Sequence, residues 1–489
     1  MENEKYLTKD VNLSTLFGND RAQEDVNLKH YFVKTRQYEE IKSGAKELVL
    51  GRKGSGKSAL FSILKQEAKD NNQFPISIAF DGEDFVHIEN SLKANQATFE
   101  VDDDFKYSLA WRDFLISELL YQSVYQSGEE NKELKKLLTN KGYLAPQKWK
   151  RFADCLLRVI KGARFQGRSA EIEFDFSKLN NGDISNQNKV KEYLNSIVVK
   201  NQYLILIDNL DEPWKNTETM NSWLRGLIFA IRQIKRDYSN IKIIAFLRTD
   251  IFDIISKGSD LFDSKSEITN LNWDDNNYYN LRQLIAARIA YSFKKPFDLS
   301  DSISTIDKLW NMVFPEKFYY AGKNDLFWHY IITRTFQRPR ELLQFCRLMF
   351  EESQKKYLPL EDNIIAPVEL KYSNWKETDL VGEYSKSYKN LDKCIESFIG
   401  AKTSWMWTSI ELINHFNNLS EEEHIYDLVT RKIANSKESL EILYKIGFLR
   451  KVDSNHIGRY KTYYQDNSIN YQLSKFDIHP AFRKKFANR

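Results

Sequence analysis

A short apolar run, Lys46–Leu50 (KELVL), ends in Gly51-Arg52-Lys53-Gly54-Ser55-Gly56-Lys57-Ser58. Next comes a segment with helical spacing, Ser58–Lys69, with Leu60, Ile63 and Leu64 on one side. This strand, glycine turn and helix restrict the chain more than any other feature. The eight residues fit GxxxxGK[ST], in which glycines let the backbone curl so that successive N–H groups converge on phosphate oxygens. The following helix adds its positive N-terminal end. In that geometry Lys57 reaches the β- and γ-phosphates and the Ser58 hydroxyl ligates Mg²⁺, with Ala59 at the helix start.

The site then needs a carboxylate for the metal shell. Tyr203–Ile207 (YLILI) is a continuous apolar run, as expected of a strand buried on both faces of a parallel sheet, and it ends in Asp208. Ligands of open α/β sheets lie at such carboxyl ends. Pro75–Phe80 and Ile241–Leu247 (IKIIAFL) read as further strands, and strands alternating with helices predict an α/β fold with a parallel sheet.

The chain has 489 residues, enough for about three domains. With 42% hydrophobic and 14% aromatic residues it has ample core material, which excludes a disordered or fibrous chain. The three cysteines are far apart and form no CxxC pair, which speaks against a zinc ribbon or a disulfide framework. The N-terminus is polar, and no apolar run approaches the roughly 20 residues needed to span a bilayer. A cytoplasmic protein is expected.

The organisation predicted is an N-terminal arm (1–30), a P-loop core (31–255) with a long helical insertion (about 84–200), a helical lid (256–354), a linker (355–384) and a C-terminal domain (385–489). Within the insertion, Trp111, Phe114, Leu115, Leu119 and Leu120 form one apolar stripe, and Ala170–Ser177 alternates like a strand. His87, Cys155 and His329 lack metal-spaced neighbours and are read as packing or surface residues. Phe32, Val33 and Tyr38 either line an adenine pocket or belong to the core, and the core reading is preferred. Pro359 and Pro367 place the linker.

The segments GRKGSGKS, Ile207–Trp214 (IDNLDEPW) and Phe246–Phe252 (FLRTDIF) together resemble bacterial P-loop ATPases of the AAA+/STAND group, KAP-type and initiator-like. The resemblance follows residues 31–350. It implies an ATP site with Mg²⁺ held by Ser58 and Asp208, and a sensor strand, Ile241–Leu247, lying between the loop strand and the Asp208 strand. Arg248 then senses the γ-phosphate. Gln337–Leu343 (QRPRELL) is similar to the segment in which a lid-helix arginine reaches the phosphates; Arg340 matches it, with Arg338 as second choice. Many such ATPases carry Glu directly after the strand's Asp, where this chain has Asn209. Asp211 and Glu212 are then the candidates to position the attacking water. Arg282 and Arg288 are candidates for an arginine supplied by a neighbouring subunit, and a homo-oligomer is expected.

In the C-terminal domain, Ser404–Phe416, Ile425–Ile433 and Lys437–Lys445 read as helices, followed by strands at Gly447–Val452, Tyr460–Gln465 and Ile469–Leu473; this order resembles a winged helix. Residues 431–489 hold 13 basic and 5 acidic side chains, so this stretch carries +8 while the whole chain carries +4. A nucleic-acid surface is one reading of that excess, and closure over the nucleotide or contact with a neighbouring subunit is the other. The expected activity is an ATP-hydrolysing switch that controls an oligomer or a separate effector protein, and the resemblance makes bacterial anti-phage defence its setting. The alternative is a nucleotide-gated DNA-binding protein with little turnover. A small-molecule kinase has no use for the lid and the C-terminal domain.

Overall fold

The computed structural model describes residues 12, 16–18, 22–94, 104–126, 132–164, 184–212, 214–257, 266–273, 278–320, 323–353, 357–453 and 460–487. Its contacts divide the chain into two units: residues 34–52 with 57–271, and residues 1–33 with 53–56 and 272–489.

The first unit is built on a five-stranded parallel sheet. Its strands are β1 (Leu48–Leu50), β2 (Phe74–Ala79), β3 (Tyr203–Asp208), β4 (Ile241–Leu247) and β5 (Ile268–Asn270), in the order β2-β3-β4-β1-β5. β4 therefore lies between β1 and β3, where the sensor strand was expected, pairing Val49 with Phe246 and Ile207 with Ala245. Every residue of β1 and β3 is buried, which is why both read as unbroken apolar runs. β5 carries only three residues and gave no usable pattern in sequence.

Helices cover the sheet: α1 (Arg36–Lys42), α2 (Lys57–Asp70), α3 (Gly82–Ala94), α4 (Asp104–Gln126), α5 (Lys132–Asn140), α6 (Lys148–Arg164), α7 (Ile184–Lys200), α8 (Glu218–Asp237) and α9 (Thr249–Ile255). The expected insertion is α3 to α7. The predicted stripe of α4 is fully enclosed, and the Trp111 indole N–H donates to the Trp223 carbonyl of α8 at 2.9 Å. Phe80, just past β2, sits among Trp111, Phe114, Phe152 and Trp223 with ring centroids 5.5–6.2 Å away. The insertion thus packs as a continuation of the sheet's own core. It also buries two ion pairs, Arg151–Glu118 and Arg158–Asp113, each charge compensated at hydrogen-bond distance. The alternating segment Ala170–Ser177 lies outside the described residues.

The second unit contains α10 (Tyr279–Ser292), α11 (Ile303–Val313), the hairpin β6 (Lys317–Tyr320)/β7 (Lys323–Leu326), α12 (Phe327–Thr333), α13 (Pro339–Glu352) and α14 (Ile365–Tyr384). Within the expected lid, α12 and α13 are separate helices: Gln337 between them takes a left-handed conformation, and Pro339 opens α13 at its first turn, a place where the missing N–H costs nothing. Part of the expected linker is helical as well. Residues 365–384 form a 20-residue helix, with Pro367 in its first turn and Val368, Tyr372, Leu380 and Tyr384 buried. The candidate subunit-bridging arginines are interior to their own chain. Arg282 pairs with Asp307 and lies 4.0 Å over the Trp328 ring; Arg288 lies 4.1 Å over the Tyr31 ring beside Asp25.

The C-terminal part continues with α15 (Leu391–Glu396), a small sheet of β8 (Tyr388–Lys389), β10 (Tyr426–Asp427) and β11 (Lys432–Ile433), and α16 (Ser409–Asn417) and α17 (Ser436–Ile446). A four-stranded antiparallel sheet runs β13 (Tyr460–Lys461), β12 (Leu449–Val452), β14 (Lys475–Ile478), β9 (Met406–Thr408), and α18 (Pro480–Ala487) closes the chain. The helix expected over Ile425–Ile433 is a hairpin. The Asp427 carboxylate accepts from the Val429 and Thr430 N–H groups and so nucleates a turn that competes with helix. Likewise Ile469–Leu473 is a turn held by Asn470, and the strand is Lys475–Ile478 instead. Of the described residues, none belongs to a helix long and apolar enough to cross a membrane.

At Gly226 of α8 the insertion packs close against the core: a Cβ there would lie 2.5 Å from the Tyr107 Cβ and 2.8 Å from the Ser108 nitrogen. Gly226→Val should therefore lower the stability of this unit by about 1–3 kcal/mol, read as an earlier denaturant midpoint; an unchanged midpoint would contradict the close α4–α8 packing.

Candidate nucleotide site

The loop after β1 is held at its base by the sheet. The Gly51 N–H donates to the Leu247 carbonyl at 3.1 Å, so the loop starts from the β1–β4 seam. The Lys57 ammonium donates back to the Gly51 and Arg52 carbonyls at 2.7 and 3.3 Å. Lys57 opens α2, and Ser58, one residue on, places its hydroxyl 3.5 Å from the Asp208 carboxylate at the tip of β3. Loop lysine, hydroxyl and acidic strand end, read separately in sequence, thus come together in one unit.

Asp208 is 7% exposed. Burial raises its pKa above the ordinary carboxylate value; the Asn209 backbone N–H, the Lys57 charge and the Ser58 hydroxyl oppose the rise, and Asp211 adds to it. Asn209 adopts a left-handed conformation, which Asn tolerates, and its side-chain amide donates to Glu212 at 2.5 Å and to the Phe80 carbonyl at 3.4 Å. Glu212 is exposed and Asp211 partly so. Arg248 forms a two-point pair with Asp250, at 3.0 and 2.7 Å, at the head of α9. Tyr38 and Val33 are buried core residues, and the Tyr38 hydroxyl donates to Glu67 at 2.6 Å.

The loop tip, residues 53–56, groups with the second unit. Gly54 and Gly56 have φ of +79° and +100°, conformations that favour glycine, and a Cβ on Gly54 would stand 3.0 Å from the Arg340 Cβ. The Arg340 N–H donates to the Gly54 carbonyl at 3.4 Å, the Arg338 guanidinium to the Lys53 carbonyl at 2.9 Å, and the Trp273 indole to the Ser55 carbonyl at 2.9 Å. Both arginines singled out in sequence therefore sit on the loop tip. The buried Ser55 hydroxyl has no hydrogen-bond partner among the described residues.

Three cations converge on Asp379 of α14: Lys53 at 3.0 Å, Arg340 at 3.2 Å and Lys376 at 3.4 Å. Sequence reasoning missed this residue because it fell in the expected linker; the spacing of Val368, Tyr372, Leu380 and Tyr384 is the signal that could have exposed the helix.

In the C-terminal domain several basic side chains are engaged by carboxylates. Arg450 and Arg483 both bond to Asp477, Lys451 to Asp466 at 2.9 Å, and Lys485 to Glu377 at 2.5 Å. His87 stacks on Trp149, Cys155 is enclosed, and His329 bonds to Asp325 at 2.8 Å.

Residues 279–381 match a FunZ-associated C-terminal helical domain. That stretch begins with α10 and contains Arg338, Arg340, Lys376 and Asp379. Over 469 residues, 90% of this chain, the sequence is 24% identical to the putative transposon gamma-delta 80.3 kDa protein of Escherichia coli K12, and it spans 62% of that relative's length. No solved structure matches.

The buried Asp208 carboxylate carries a raised folded-state pKa, so at pH above both pKa values its ionised form costs folding free energy, and the cost fades as pH falls through the raised value. Asp208→Asn should accordingly melt at or above the wild-type temperature near pH 7 in the absence of nucleotide. A clear loss of thermal stability would mark Asp208 as a structural acid instead.

Proposed function

We propose that this chain is an ATP-binding, ATP-hydrolysing switch of the AAA+/STAND kind. The observation that carries the reading is the Ser58 hydroxyl 3.5 Å from the Asp208 carboxylate, beside a loop whose Gly54 and Gly56 adopt left-handed conformations. β4 lying between the loop strand and the acidic strand adds support.

In this reading the loop N–H groups and Lys57 bind the polyphosphate, and Lys57 exchanges the Gly51 and Arg52 carbonyls for phosphate oxygens. Ser58 and Asp208 would hold Mg²⁺, which when bound neutralises charge on the phosphates. Asp211, partly exposed beside Asp208, orients the attacking water, while Glu212 is engaged by Asn209. Arg340 and Arg338 relay the state of the loop tip to α13. Arg248, paired with Asp250, serves by orienting that strand end, and it reaches phosphate only by leaving the carboxylate.

The strand and helix order of residues 391–487, with β9, β14 and β12 adjacent, supports the winged-helix reading. Arg450, Lys451 and Lys485 are engaged by carboxylates and so are less open to phosphate, which favours a surface toward a second copy or an effector over duplex DNA. A relative named for a transposon is compatible with a role around mobile DNA in bacteria, including defence against it.

The test is phosphate release from Mg·ATP by the purified chain. Lys57→Ala should lower the rate by about 100-fold or more, the scale on which a preorganised charge donor acts. Equal release by both proteins would reject catalysis at this loop.

A further inference from the structure

Among the described residues, Asp379 lies in a partly buried charge network with an imbalance. Lys53, Arg338, Arg340 and Lys376 provide four cations against the three carboxylates of Glu341, Asp379 and Glu383. The members differ in accessibility. The Lys376 side chain is 0% exposed and bonds to Glu341 at 2.8 Å, and the Asp379 side chain is 8% exposed. Lys53 and Arg340, the two cations of the loop tip and its neighbouring helix, are 38% and 41% exposed. A fixed, buried carboxylate therefore stands behind two cations whose outer sides face water. Both have long side chains able to turn toward another anion.

We propose that the Asp379 carboxylate competes with nucleotide phosphate for Lys53 and Arg340, so that ATP at the loop loosens the hold of α14 on the loop tip. This rests on the nucleotide reading above and adds its regulation. Phosphate gives both side chains a second anion of higher charge, and a bidentate guanidinium contact that a shared Asp379 oxygen denies Arg340, because Lys53 and Arg340 both bond to the same Oδ1. Lys376 remains on Glu341, so Asp379 keeps one cation when the other two depart and is not left unpaired. The carboxylate is thereby a built-in brake on affinity and a lever on α14.

The experiment measures displacement of a fluorescent ATP analogue by Mg·ATP on the full chain. Asp379→Asn should tighten binding about tenfold, within the usual range of coupling between linked sites. The gain should disappear when Asp379→Asn is combined with Lys53→Ala or Arg340→Ala. Weaker or unchanged affinity in Asp379→Asn, with wild type binding and Lys57→Ala not binding, would overturn the competition and leave the nucleotide site standing. No binding by wild type would end both. Should Asp379→Asn fail to fold, the wild-type chain decides: Mg·ATP should speed amide hydrogen exchange in residues 376–384, and unchanged or slower exchange there would count against competition.

Discussion

A carboxylate held at the end of a fully buried strand is the constraint from which the site follows. Every residue of β3 is enclosed, so Asp208 cannot swing away, and its ionised form is disfavoured by burial unless cationic partners are near. The sheet brings one, Lys57, into place. Pairing of β3 with β4 and of β4 with β1 fixes the loop strand relative to the acidic strand, and α2 starts where Ser58 meets Asp208. The core tolerates this acid because the hydroxyl, the Asn209 N–H and the Lys57 charge each offset part of the desolvation. Such an arrangement gives up stability to keep an acid at the strand end, as the proposed metal site would need.

The loop itself faces two structural demands. At its base, Gly51 and Lys57 are bonded to the sheet and to the loop's own carbonyls. At its tip, Lys53, Gly54 and Ser55 bond through carbonyls to Arg338, Arg340 and Trp273. Carbonyls turned outward to these donors leave the N–H groups to point the other way, the polarity that an anion cradle needs. The residues that read as phosphate sensors in sequence are thus also the ones that shape the loop backbone.

What could be read from sequence was whatever burial imposed directly. β3 and β4 are buried throughout or nearly so, so their apolar runs carried both type and boundaries. The loop was legible because its glycines serve local backbone geometry. Asp427 and Asn470 were less so: each uses its own side chain to fold the backbone into a turn, overriding the apolar spacing of Ile425–Ile433 and Ile469–Leu473. α14 was hidden by prolines that end helices when internal but are harmless in a first turn. The ion network around Asp379 was invisible for a different reason, because its Lys53 partner is 326 residues away and no local pattern links them. Which basic side chains of the C-terminal stretch are engaged was hidden in the same way: the partners of Arg450, Lys451 and Arg483, Asp477 and Asp466, are only apparent once strands β12 and β14 are paired.

The central claim is that Ser58 and Asp208 share one divalent cation with a polyphosphate on this loop. Calorimetric titration of ATP into wild type and Ser58→Ala, each with Mg²⁺ and with EDTA, tests it most directly. The account predicts that Mg²⁺ strengthens binding to wild type and that Ser58→Ala binds metal-free ATP normally but loses most of the Mg²⁺ gain. An equal Mg²⁺ gain in both proteins would contradict it.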